Sequence, residues 1–237
     1  MVHPVDMERS PLKGTRRFFP TLPGFSSWQS PAPCIGGWVK RATDIPIALL
    51  ALIMLLPLML MTALLIKVTT GGPVIFGHRR VGLNGNTFCC LKFRTMVRDA
   101  DTALVHHLAC NPDAAREWQE TRKLQNDPRI TTLGKILRSS SIDELPQLIN
   151  VLRGDMSCVG PRPIVAEELE RYGAGASDYL KARPGLTGLW QVSGRSSLSY
   201  PERVALDCAY VRQWSFRNDV VILLKTIPAV MRYDRTS

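Results

Sequence analysis

Between Ile45 and Ile66 the chain carries no charged residue. At about 1.5 Å of rise per residue, a helix of that length matches a hydrocarbon core of about 30 Å, so the segment is expected to enter a membrane. Pro57 falls at its centre. A proline there removes a backbone N–H and crowds the preceding turn, at about 3 kcal/mol in an ordinary helix, so a bend is expected. Lys40 and Arg41 precede the run, while Lys67, Arg79 and Arg80 follow it. Basic residues on both flanks put both ends on the cytoplasmic side under the positive-inside rule, which a re-entrant hairpin satisfies. A proline-kinked helix that spans the bilayer satisfies the apolar length equally well, and the flanks alone leave both paths open. A soluble core helix does not suit this length.

Residues 1–37 hold Pro4, Pro11, Pro20, Pro23, Pro31 and Pro33 among scattered basic residues, with no sustained period, and read as a flexible tail. The first long apolar run comes too late for a secretory signal. Lys+Arg 30 against Asp+Glu 20 gives a formal charge of +10, which suggests an anionic partner: a membrane surface, nucleic acid or a phosphorylated substrate. The six cysteines form no C-x-x-C pair and read as reduced thiols on the cytosolic side. His106 and His107 have no third ligand at usable spacing and read as surface residues.

Past the apolar run, Pro73 to Arg80 and Thr87 to Phe93 are β-prone stretches around Asn84-Gly85, which predicts a hairpin. Lys92 and Arg94 bracket Phe93 and, by period 2, share one face, where they either hold phosphate oxygens or are simply solvated. Asp101 to Gln125 is polar with helical spacing, interrupted near Pro112. Further on, Arg183 to Arg195 is glycine-punctuated with a strand-like centre. It matches neither a P-loop nor a dinucleotide fingerprint and, by itself, reads as a tight structural turn. Tyr200 to Met231 predicts two helices. The second, with Val220, Val221, Leu223, Leu224 and Ile227 and with Lys225 and Arg232 at its edge, either lies on the membrane surface or packs on the core.

The chemistry is expected between Ser139 and Pro163. Asp143 and Glu144 are adjacent carboxylates at the apparent start of a helix, since Leu145, Leu148, Ile149 and Leu152 recur at i, i+3, i+4 and i+7 and Gly154 follows as a stop. Arg138 precedes them, and Arg162 sits on a stiff Gly-Pro-Arg-Pro loop beyond. Two acids and two arginines suit a phosphorylated substrate with a divalent cation. A structural reading competes: Ser141 and Glu144 form an S-x-x-E capping box, or Asp143 is itself the N-cap.

The run of Lys40-Arg41, the Pro57-interrupted segment, Lys92-Phe93-Arg94-Thr95-Met96, Asp127-Pro128-Arg129-Ile130-Thr131, Ser141 to Gln147, Gly160-Pro161-Arg162-Pro163 and Arg183 to Gly188 resembles the bacterial sugar transferase family, the monotopic phosphoglycosyl transferases. Trp190 to Arg195 is similar to the hexose-1-phosphate branch. The resemblance implies an α+β fold: a membrane-embedded re-entrant helix-break-helix (38–70) and a cytosolic, mainly helical catalytic domain (71–237) with a β-hairpin and amphipathic surface helices. Larger relatives carry several N-terminal transmembrane helices that this sequence does not show. It implies transfer of galactose- or glucose-1-phosphate from a UDP-hexose to undecaprenyl phosphate at the cytoplasmic face of the bacterial inner membrane, with Mg²⁺ and without nucleic acid. Asp143 and Glu144 match the catalytic dyad, with Asp143 as nucleophile and both as metal ligands. Arg138 and Arg162 fall where phosphates bind, and Lys92 and Arg94 lie in another family motif. Two other functions remain expectations to be weighed: a non-enzymatic membrane scaffold whose acid pair only caps a helix, and a nucleotide-sugar hydrolase.

Overall fold

A computed structural model of the chain describes residues 33–121, 124–194 and 197–231. Most of the proline-rich tail, together with Arg195 and Arg232, lies outside the described residues. At the end of that tail, Ile35 N–H already bonds Lys181 O at 3.0 Å.

Helix α1 (Gly37–Thr69) is one uninterrupted helix containing Pro46 and Pro57. It is apolar all round. Lys40, Asp44, Ala48, Met59, Thr62 and Ile66 are buried, with Leu52 and Leu55 partly so, which makes a single stripe at i+3 and i+4 spacing along the whole helix. The remaining surface is equally apolar yet exposed: Leu50, Ile53, Met54, Leu60 and Leu64 are each at least 60% open. A soluble helix buries its apolar side, so this excess suits a helix embedded in a membrane.

The hairpin forms as predicted. Strands β1 (Ile75–Val81) and β2 (Thr87–Phe93) pair antiparallel from Ile75↔Phe93 to Val81↔Thr87. Asn84 and Gly85 take φ values of 56° and 79°, the left-handed conformations that this dipeptide tolerates. Helices α2 (Ala100–Cys110) and α3 (Pro112–Thr121) divide at Pro112, and α4 (Thr132–Ser139) follows with Thr131 as N-cap. A 3₁₀ turn (Ile142–Glu144) leads into α5 (Gln147–Arg153), which stops at Gly154 with φ 89°.

A second sheet was not foreseen: β3 (Ser157–Val159) pairs in parallel with β4 (Gly185–Thr187). The glycines around it serve that pairing, since a Cβ on Gly160, Gly185 or Gly188 would overlap backbone atoms of the facing segment. Short helices α6 (Ala166–Arg171), α7 (Ala176–Tyr179) and α8 (Leu189–Ser193) and the longer α9 (Tyr200–Arg212) and α10 (Phe216–Met231) complete the described chain. Helix α10 packs on the core along one side and leaves the other open. Ile222 and Asp219 are buried against the core, whereas Phe216, Leu224 and Ile227 are exposed.

The main core gathers Leu148 and Val151 of α5, Met156, Cys158 and Val159 around β3, Tyr210 and Val211 of α9, Ile222 of α10 and Ala48 of α1. A second cluster joins Met59 and Ile66 of α1 to Phe93 of β2 and Leu137 of α4, with Ile142 and Leu145 packed on it. Asn150, fully buried, stitches α5 to the hairpin edge. It accepts Leu91 N–H at 3.0 Å and donates to Cys89 O at 2.8 Å, as a neighbouring strand would.

Polar contacts fix the first turns of α1. Lys40 Nζ is 2.7 Å from Asp219 Oδ2 and 2.9 Å from Tyr210 Oη, with Lys40 3% exposed. Breaking a buried ion pair from one side leaves an uncompensated charge, typically at about 3–5 kcal/mol. Lys40→Met is therefore expected to lower the unfolding midpoint in detergent sharply, while Lys67→Met, at the exposed far end, leaves it within experimental scatter.

Candidate active site

The site begins with α4. Thr131 caps it by accepting Gly134 N–H at 2.9 Å, and Leu137 anchors it in the cluster shared with α1. Its end is tightened by Ser139 and Ser140, whose hydroxyls both bond Ile136 O. Ser141 then adopts φ 57°, a left-handed conformation costly for a residue with a side chain. The chain reverses there, and the 3₁₀ turn points Asp143 inward at 7% exposure and leaves Glu144 partly open.

Neither capping arrangement forms. Ser141 makes no side-chain cap bond, and α5 starts after Pro146, also without one. The reason is geometric: the reversal at Ser141 and the intervening 3₁₀ turn put both carboxylates ahead of α5 rather than over its first N–H groups. Glu144 is taken elsewhere. Its Oε1 receives Lys92 Nζ at 2.6 Å, and Asp143 Oδ2 lies 3.9 Å from the same ammonium.

Burial pushes the Asp143 carboxyl up to about 6. Glu144 adds to the rise, while Lys92 and Arg138 oppose it. Arg138 is itself largely buried, which holds it below its ordinary value against the pull of Asp143 and Asp127. Its Nε donates to Thr95 Oγ1 at 2.9 Å. Asp127 and Arg129 form a two-pronged pair at 2.8 and 2.6 Å that fixes the loop before α4. Of the two strand-face cations expected, Lys92 stands at the carboxylates. Arg94 has its Nε buried with no protein partner among the described residues.

Arg162 is presented on a loop as stiff as the sequence suggested. Gly160 N–H bonds Thr187 O, Gly185 N–H bonds Pro161 O, Arg80 bonds Pro163 O, and Val81 N–H bonds Ile164 O. Arg162 acts on the ionisation of Arg80 and of Asp207. Asp207, under this loop, receives Tyr172 OH at 2.9 Å and is pushed up to about 7 by burial. In the hairpin register Phe76 faces Lys92 and Arg80 faces Phe88, so Arg80 stands about 13 Å further along the strand at roughly 3.3 Å per residue. His78 lies between them, lowered by burial and then by Arg80. A basic row, Lys92, His78, Arg80 and Arg162, thus runs from the acids to the loop. The sequence reading missed His78 and Arg80, although period-2 alternation through the Asn-Gly turn puts both on the face of Lys92.

Two carboxylates converging on one ammonium also suit a small divalent cation. Among the described residues no third acid, His or Cys joins them. Mg²⁺ commonly takes only one or two protein carboxylates and completes its shell with phosphate oxygens, so the pair fits it.

Residues 35–233 match the profile of the bacterial sugar transferase family. An exopolysaccharide production protein, ExoY, of Sinorhizobium fredii is 57% identical over 196 residues, covering 83% of this chain and 87% of the relative. The undecaprenyl-phosphate galactose phosphotransferase of Salmonella typhimurium is 52% identical over 198 residues, 83% of this chain but 41% of that one. A UDP-glucose:undecaprenyl-phosphate glucose-1-phosphate transferase of Caulobacter vibrioides is 42% identical over 203 residues, 82% of this chain and 70% of that one.

The raised Asp143 value has a stability consequence. Its folded-state value, about 6, lies above the ordinary 3.8, so the folded protein holds the extra proton between those limits and loses stability as pH rises through them. Without metal or substrate, Asp143→Asn is expected to raise stability at pH 7.5 by on the order of 3 kcal/mol, at about 1.4 kcal/mol per pK unit. The gain should vanish near pH 4, as read from unfolding midpoints across the range.

Proposed function

The chain belongs to the bacterial sugar transferase family, and from that footing we propose that it transfers a hexose-1-phosphate, galactose or glucose, from a UDP-sugar to undecaprenyl phosphate. This is the first membrane step of exopolysaccharide or lipid-linked glycan synthesis. The observation that carries the reading is the seat of the carboxylate pair. Asp143 lies by Lys92 and under the influence of Arg138, Glu144 pairs with Lys92, and Ile142 and Leu145, on either side of them, pack on the cluster that Met59 and Ile66 of α1 share with Phe93 and Leu137. Donor from water and acceptor from lipid meet at such a border.

Asp143 Oδ attacks the β-phosphorus of the UDP-sugar, the bond from phosphorus to the bridging oxygen breaks, and UMP leaves with the electron pair. The sugar phosphate is then held on Asp143 as an acyl phosphate. An oxygen of undecaprenyl phosphate attacks the same phosphorus and frees the carboxylate. At neutral pH Asp143 is mostly ionised, since its value of about 6 lies below the ambient pH. Lys92 and Arg138 offset the charge that builds on the equatorial oxygens. Mg²⁺ held by Asp143 and Glu144 would supply further neutralisation of the diphosphate. Arg94 and Arg162 are assigned to the remaining oxyanions of the donor, with Arg162 reached along the basic row of the hairpin.

We take α1 to enter and leave on the cytoplasmic side of the inner membrane. In support, both of its ends bind one body: Lys40 with Asp219, and Ile66 with Phe93 and Leu137. A spanning helix would carry one end away from it. Cysteine labels placed before Lys40 and after Lys67 should both react only from the cytoplasmic side; labelling from opposite sides would establish a spanning path.

The mechanism is tested by exchange. Purified protein with Mg²⁺ and UDP-hexose is expected to exchange labelled UMP into UDP-hexose without lipid, and Asp143→Asn to abolish it, because an amide is a far poorer nucleophile. Exchange that strictly requires undecaprenyl phosphate would point instead to direct transfer in a ternary complex.

A further inference from the structure

Arg138 acts on Asp143 from α4, and the face of that helix bearing Arg138 docks on Thr95, which lies in the loop after β2 and is 7% exposed. The Thr95 carbonyl accepts both the N–H of Thr131, at 3.1 Å, and its hydroxyl, at 3.3 Å. Gly134 lies so close that a Cβ would overlap the same carbonyl. Thr131, Gly134 and Arg138 are spaced i, i+3 and i+7 and thus share one face of α4. The first two meet the Thr95 backbone, and the third meets its side chain, Nε to Oγ1 at 2.9 Å. That contact is the only one made by the Thr95 hydroxyl among the described residues.

Arg138 has five N–H donors in a planar fork, and Thr95 occupies one. No protein group accepts from its two terminal nitrogens among the described residues, and no direct ion pair joins it to Asp143, although the two act on each other's ionisation. A largely buried guanidinium turned by a hydroxyl, with its outer donors uncommitted and its charge felt by a buried carboxylate, is arranged for an anion that comes between them.

We propose that Thr95 is a positioning residue for the transfer: its hydroxyl fixes the rotation of the Arg138 guanidinium about its own plane, so that the uncommitted N–H groups meet the phosphoryl group as it passes to Asp143. This rests on the reading above, in which Asp143 is phosphorylated and Arg138 serves the phosphate. The Thr95 backbone holds α4 whatever side chain the residue bears, so the hydroxyl can be removed without undocking the helix. A cation placed but unoriented retains charge and loses the directional bonds that a fork supplies.

The test uses the full chain in detergent with Mg²⁺, UDP-hexose and labelled UMP, scored by exchange rate, by the KM for UDP-hexose and by unfolding midpoint. Thr95→Val is expected to lower the saturated exchange rate about tenfold or more, roughly 1.4 kcal/mol of barrier, with its midpoint near that of the wild type. Thr95→Ser, which keeps the hydroxyl, should restore the rate to within about threefold, following the hydrogen bond rather than the methyl group. In an Arg138→Lys background, Thr95→Val should add no further loss, because the side chain through which it acts is gone. The proposal is overturned if Thr95→Val exchanges at the wild-type rate, if Thr95→Ser is as impaired as valine, or if the losses multiply in the Arg138→Lys background. Exchange that survives Asp143→Asn overturns the functional reading and this proposal with it, whereas the three preceding results overturn the proposal alone.

Discussion

Helix α1 poses the problem that the rest of the fold answers, because a helix apolar on every side has no preferred face to bury. The hydrophobic effect is non-directional and cannot choose among its sides. The choice is made by three polar residues within its first turns. Lys40 pairs with Asp219, Asp44 accepts Ser157 Oγ at 3.0 Å and Cys158 N–H at 2.9 Å, and Arg41 donates to Val151 O and Leu152 O at the end of α5. These bonds are directional and partly or fully buried, so a rotation of α1 would strand them at several kcal/mol. Rotation being fixed, the apolar stripe that continues to Ile66 falls on Phe93 and Leu137, and the opposite sides are left exposed.

The same logic makes α5 a ruler. Arg41 holds its C-terminal carbonyls, Asn150 holds its middle to the edge of β2, and the Asp143–Glu144 turn sits at its other end. Lys92, on β2, consequently arrives at the carboxylates because Asn150 is bonded to Leu91 and Cys89 on the same strand. The costs concentrate in that turn: a serine in a left-handed conformation and a carboxylate buried enough to hold its proton near pH 6. Such costs persist only where surrounding contacts over-determine the geometry, and they are usual where a group must react.

What could be read in the sequence was local or repeated. The Asn84-Gly85 turn, the division of α2 from α3 at Pro112, the stop at Gly154 and the adjacency of the two acids each follow from a few neighbouring residues. The capping reading of Ser141 and Asp143 was also local, and it failed because the reversal at Ser141 is set by where α4 docks, which spacing does not reveal. Asn150, Thr95 and β3 offer no such local cue. Their roles depend on which strand or helix arrives beside them from far along the chain. The hairpin face carrying His78 and Arg80 lies between these cases, since alternation and the turn suffice to place both residues next to Lys92 once the register is fixed.

The burial of Asp143 bears on which acceptor the site suits. An acyl phosphate is open to water as well as to a lipid phosphate, and a hydrolase would gain from an open carboxylate. Asp143 is instead 7% exposed, and the residues beside it, Ile142 and Leu145, pack on the apolar cluster that joins α1 to β2 and α4. The open side is that of Glu144 and Lys92, both about a third exposed and both charged. Access for an anionic donor is therefore along the basic hairpin face, while the apolar flank of the turn belongs to α1 and to whatever lipid lies against it. A second substrate dissolved in the bilayer reaches such a site without passing through water, and the exclusion of water that raises the ionisation cost of Asp143 would also lengthen the life of any acyl phosphate formed on it.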